Sequence, residues 1–191
     1  LGRLLGVEGS GQFFLLFTIL TFVGCVGGMG FELSLIRFIG ISHGSRDYVA
    51  SRSFLAYALK KVTWPILAFT AAIFIFAEEL SQPFFSQYVS GCFELLACCV
   101  APYIYMRLFS GYLKGSFSPA WGSLWDQGGY NILTLLFIAA FSRFMDLTPF
   151  WSLALFLSAV VVMFLLSFLF RPFKKHRSES EHAVVESAPP E

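Results

Sequence analysis

Charge is what this chain has least of. Asp, Glu, Lys and Arg make up 13% of its 191 residues, about half the share of a water-soluble domain, too few to clothe a globule of this size in water. An ordinary cytosolic enzyme is thereby not expected. Histidine is equally scarce: His43, His176 and His182 fall in predicted loops or the tail, which removes the usual general base and the commonest metal ligand. Cysteine is confined to Cys25, Cys92, Cys98 and Cys99, without C-x-x-C spacing or a histidine at ligand offset, so the four read as small apolar fillers. With no nucleophile–base pair in view, the chain is expected not to be an enzyme and to hold no cofactor or metal. The glycines of Gly6-Val-Glu-Gly-Ser-Gly11 lack the preceding strand and following Lys-Ser/Thr of a phosphate loop, so nucleotide binding is set aside and no nucleic-acid partner is expected.

Apolar residues are abundant instead, at 57% of the chain with 24 Phe among them, which excludes a solvated coil. They come in blocks. Residues 13–31 and 147–170 carry no charge, 62–77 is uncharged through Ala77, Leu80 to Met106 carries only Glu94, and Ser116 to Ser142 only Asp126. Since about 20 apolar residues in a helix cross a hydrocarbon core of about 30 Å, five spans are predicted, at roughly 12–39, 53–77, 86–110, 118–142 and 148–170. The blocks are continuous rather than alternating, which favours helices over barrel strands. The fold class is therefore an all-α integral membrane bundle over residues 1–170, followed by a basic-then-acidic tail, 171–191, that reads as disordered.

Eleven of the 13 Lys and Arg fall at alternate connections: Arg37, Arg46, Arg52, Lys60 and Lys61 at the first, Arg107 and Lys114 at the third, Arg171, Lys174, Lys175 and Arg177 after the last. Arg3 and Arg143 stand opposite. By the positive-inside rule the basic connections and the tail are cytoplasmic and the chain begins outside. The lack of both an initiator Met and a signal-peptide pattern leads to the expectation of an earlier helix ahead of Leu1.

Within the spans, Gly24 and Gly28 are four apart, a spacing that permits close helix packing or a hinge. Pro65 removes a helical hydrogen bond in the second span and predicts a kink. Glu32, Glu94 and Asp126 are costly inside a membrane and line a cavity or bond another helix; Arg37 and Arg107 snorkel to the interface or face the same cavity. Glu32 and Arg37 are five apart, too far round one helix to pair, so each is expected to find a partner elsewhere. Asp126, Gln127 and Asn131 form a predicted polar patch on the fourth span.

Several segments carry a family resemblance. Residues 1–14, with Gly6, Glu8, Gly11 and Phe13, resemble the loop after the first helix in the polysaccharide-exporter branch of the multidrug, oligosaccharidyl-lipid and polysaccharide flippase superfamily, with Ser10 where an aromatic is usual. Gly30-Phe-Glu-Leu-Ser-Leu-Ile-Arg37 resembles the end of the second family helix, and Phe109-Ser-Gly-Tyr-Leu-Lys-Gly115 the fourth running into its basic turn. The resemblance implies that residues 1–170 are family helices two to six, part of one lobe of a two-lobed transporter of about 12–14 helices whose first helix and second lobe lie outside this chain. It further implies translocation of an undecaprenyl-linked glycan across the bacterial inner membrane by alternating access. Arg37, Arg107 and Asn131 are then expected to bind substrate, and Glu32, Glu94 and Asp126 to couple H⁺ or Na⁺. The alternatives are a drug/cation antiporter of the same superfamily, with acidic groups dominating the cavity, and a non-transporting scaffold or truncated remnant.

Overall fold

The computed structural model describes residues 2–45, 47–81, 91–116, 119–143 and 148–169. The tail from 171 onward, with its four cations, and Arg46 lie outside the described residues. Among the described residues every regular element is helical: α1 (Gly2–Gly27), α2 (Phe31–Gly44), α3 (Tyr48–Ile75), α4 (Ala77–Ser81), α5 (Cys92–Gly115), α6 (Pro119–Ser123), a π-helical turn (Leu124–Gly128), α7 (Gly129–Phe141) and α8 (Pro149–Leu169). Four of these contain a stretch long and apolar enough to cross a membrane, within 9–27, 49–75, 92–115 and 150–167.

Local chemistry sets several of the ends. Asp47 accepts a hydrogen bond from the Ala50 backbone N–H at 3.0 Å and so caps α3. Pro119 and Pro149 each open a helix, where the missing N–H would be unpaired anyway. Pro65 lies inside α3 and Pro102 inside α5, yet both helices continue through them. Each proline deprives a carbonyl one turn earlier of its donor, on Lys61 and Cys98 respectively.

Two predicted spans differ from the structure. The first, expected as one helix over 12–39, is broken after Gly27: Met29 (φ 49°) and Gly30 (φ 71°) are both left-handed, and α2 starts anew at Phe31. Nor do residues 2–11 form a plain loop, since α1 begins at Gly2 with a single non-helical residue, Gly6 (φ 72°, ψ 178°). The fourth, expected as one helix over 118–142, is helical without a break over 119–141 but departs from regular α geometry at a π turn between α6 and α7. In the third, α5 runs on to Gly115, past the expected end at 110, while residues 86–90 lie outside the described ones.

The bundle is organised around α5. Leu96, Val100, Ile104, Met106 and Leu108 are all buried on it, facing Leu16 and Leu20 of α1, Leu35 and Ile39 of α2, Val62 and Ile66 of α3, and Leu153 and Val160 of α8. Ring contacts fix the directions. Tyr105 stacks on Phe164 (6.3 Å between centroids) while Phe150 abuts Gly91, so α8 runs parallel to α5. Thr63 bonds Tyr105 at 2.9 Å and Arg52 lies within electrostatic reach of Tyr112, so α3 runs antiparallel. The α6–α7 run is antiparallel too, with Asp126 near Lys114 and Tyr130 against Tyr103. The α2–α3 and α5–α6 connections consequently share one end of the bundle.

Candidate functional site

Arg107 and Lys114 are seven apart on α5, two helical turns, and therefore project from one face. Gly111 lies between them on that face. A Cβ there would stand 2.8 Å from the Glu32 carbonyl oxygen, and one on Gly115 would stand 3.0 Å from the Ile36 carbonyl oxygen. The two glycines, four residues apart, let α2 lie backbone to backbone on α5. Close approach of this kind brings Glu32, in the first turn of α2, between the two cations.

Asp126 reaches the same place from the opposite side. Ser110 donates a hydrogen bond to the Gly122 carbonyl at 2.7 Å, which seats α6 on α5. The π turn that follows is one residue wider per turn than an α-helix and presents Asp126 to α5.

The result is a closed quartet. Arg107 Nη2 lies 2.7 Å from Glu32 Oε2 and its Nε 3.8 Å from Asp126 Oδ1; Lys114 Nζ lies 2.6 Å from Asp126 Oδ2 and 3.6 Å from Glu32 Oε1. Each cation touches both carboxylates, each carboxylate touches both cations, and the formal charges cancel. The four side chains retain only 14–22% of their exposure, so the pairs are screened far less than surface ion pairs. Removing one member leaves an opposite charge desolvated and underpaired, the costly outcome for a buried network.

Beside the quartet lies a cavity of about 180 Å³, lined by Cys25, Gly28, Gly30, Glu32, Leu33, Ile104, Arg107 and Leu108. It sits at the interruption between α1 and α2. Gly24 closes one flank because the Tyr103 ring occupies the space where its Cβ would be, 2.5 Å from Cε1. Glu32 also falls at the amino-terminal end of α2, where the helix dipole favours a negative charge. A helix interruption, a neutralised charge cluster and a small, partly open cavity thus adjoin one another on the described bundle.

Of the residues singled out from sequence, Glu32, Arg107 and Asp126 come together here, and Gly24 and Gly28 border the same cavity. The others do not join them. Arg37 is exposed on α2 with no carboxylate in pairing range among the described residues, so the expected partner on another helix is found for Glu32 alone. Glu94 is exposed in the first turn of α5, 13 residues before Arg107 and about 20 Å away along the axis. Asn131 is exposed on α7, and Gln127's side chain lies outside the described ones. Lys114 is the member that sequence reading assigned only to a connection. Its i, i+7 offset from Arg107, with Gly111 between them, was the available signal.

Among the described residues, no group of three His, Cys, Asp or Glu is arranged to hold a metal. The four cysteines are free thiols, Cys92 and Cys99 buried, Cys25 and Cys98 exposed. Comparison with protein-family models, with curated proteins and with solved structures gave no match.

Proposed function

We propose that the chain is part of one lobe of a membrane transporter that moves an anionic, lipid-linked glycan across a bacterial inner membrane by alternating access. The observation that carries this reading is the neutral quartet Glu32–Arg107–Lys114–Asp126 beside the interrupted α1–α2 helix. Irregular backbone and ionised side chains persist at membrane depth where they line a cavity or a substrate path, and discontinuous helices are a recurrent way of building one. The resemblance of residues 1–14, 30–37 and 109–115 to polysaccharide exporters supports the same class.

In this reading, residues 119–141 make a fifth crossing and the basic end faces the cytoplasm. Arg107 and Lys114 are the phosphate-attracting groups, and both are occupied by carboxylates at rest. A diphosphate arriving from the cytoplasm competes with Glu32 and Asp126 for them. A proton or Na⁺ taken by either carboxylate lowers its hold on the cations and favours that exchange, which links an ion gradient to lobe movement. Arg37, exposed nearer the basic end, serves as an outer attracting charge.

The test is glycan export in a bacterium lacking its own flippase, complemented with the full reading frame. Wild type is expected to restore surface glycan, and Arg107→Gln and Lys114→Gln to lower it at least tenfold at equal protein level. Export unchanged in both variants overturns the proposal. Cation-drug resistance without glycan export points to the antiporter alternative.

A further inference from the structure

We propose that the α2–α3 hairpin carries a strip that binds the phosphate headgroups of anionic phospholipids. This inference is independent of the transport reading, since a hairpin of the same chemistry would bind the same lipids on a scaffold.

α3 has 28 residues and is about 42 Å long at 1.5 Å per residue, about 12 Å more than a hydrocarbon core spans. The surplus belongs to its first half. From Val62 onward α3 carries no charge, whereas Arg52, Lys60 and Lys61 all precede that point. The surplus is about eight residues, which places 48–55 in the headgroup layer; Lys60 and Lys61 start about 8 Å deeper and reach it by running their stems back toward the amino-terminal end, as Lys61 does over Tyr57.

That part of the hairpin is held by a row of rings. Phe38 of α2 stacks on Phe54 of α3 at 4.3 Å, Phe54 lies 6.4 Å from Tyr57, and Phe31 meets Tyr57 edge-on at 6.2 Å. Lys61 Nζ sits 5.8 Å from the centre of the Tyr57 ring, which is 51% exposed. Aromatic rings with adjoining cations are what the membrane–water interface selects.

The cations are available to a ligand. Arg37, Lys60 and Lys61 are exposed, and no described carboxylate lies in pairing range of any of them. The two described acids of the hairpin are committed elsewhere, Glu32 to the quartet and Asp47 to the α3 cap. Three exposed positive charges on one ring-lined hairpin, without a described carboxylate in pairing range, are complementary to lipid phosphates. The quartet offers no such surplus, because its charges cancel.

The test uses the full chain purified in detergent, mixed with equal parts phosphatidylglycerol and phosphatidylcholine, with retained lipids counted by native mass spectrometry. Phosphatidylglycerol is expected to be retained in preference. The affinity is expected to fall about fivefold for each cation removed by Arg37→Gln, Lys60→Gln or Lys61→Gln, and to stay unchanged in Arg143→Gln. Added salt should erode the wild-type preference, a readout that needs no variant to fold. Equal retention of both lipids, a preference indifferent to salt or to the triple variant, or an equal loss in Arg143→Gln overturns the proposal. Displacement of the lipid by inorganic phosphate also overturns it, since the strip would then be a site for free anions.

Discussion

α3 and α5 have the same mean hydropathy, 1.5 over their apolar stretches, yet 22% of one stretch and 56% of the other lies buried within the bundle. Hydropathy explains why both are long apolar helices and cannot explain which becomes the centre. The difference lies in small residues and in where the charges point. α5 carries Ser110, Gly111 and Gly115 on contact faces, so α2 and α6 approach its backbone directly. On α3 the midpoint is occupied by Lys60 and Lys61, which remain outside, and Trp64 beyond them is 77% exposed. Both helices carry two cations on the apolar block or at its edge. Those of α5 are matched by two acids from other segments, and those of α3 are not.

The contrast can be broken most strongly at Gly111. Gly111→Leu forces a branched side chain into the Glu32 backbone, and about 3 kcal/mol of stability should be lost, read as a lower melting temperature and aggregation in detergent size-exclusion chromatography. Lys114→Met comes next, at about 2–3 kcal/mol, because it strips Asp126 of its 2.6 Å partner. A Lys114→Met/Asp126→Leu double variant should regain part of that loss, and a strictly additive double-mutant cycle would contradict the coupling. Gly30→Ala should cost about 1 kcal/mol through its left-handed backbone in the same thermal assay. Met29→Gly should stabilise slightly, by about 0.5–1 kcal/mol, because Met29 holds a positive φ that glycine adopts freely. Smallest of all is Lys61→Met, expected within about 0.5 kcal/mol of wild type. If it matched Lys114→Met instead, the distinction between the two helices would fail.

The apolar blocks are legible in the sequence, and α3, α5 and α8 overlap the spans expected for them. The break at Met29–Gly30 was not legible as a break, because residues 13–31 are uncharged throughout and hydropathy carries no information on φ. Gly24 and Gly28 marked the weak region without marking the residue where the helix stops. For the site, Glu32, Arg107 and Asp126 stood out because charge is so rare in the apolar blocks. Lys114 did not, since it closes a block and looked like one more cytoplasmic cation. The pairing itself joins residues 32, 107, 114 and 126, and no local pattern encodes which face of α5 meets α2. Asp126 also owes its direction to a π turn, which a 3.6-residue periodicity does not anticipate.

The spacing of the quartet along the chain bears on how the protein is made. Synthesis runs from the amino terminus, so Glu32 emerges 75 residues before Arg107, and the last member, Asp126, follows 19 residues later still. Glu32 therefore has no partner while α2 and α3 are being delivered to the bilayer, and a lone carboxylate is expelled from hydrocarbon. The interruption after Gly27 gives the nascent chain a place to wait: α1 can settle in lipid while α2 stays at the water boundary. Both cations that Glu32 meets and both glycines that seat α2 lie on α5, so α2 can close on the bundle only after residue 115 has emerged, and Asp126 then completes the cluster.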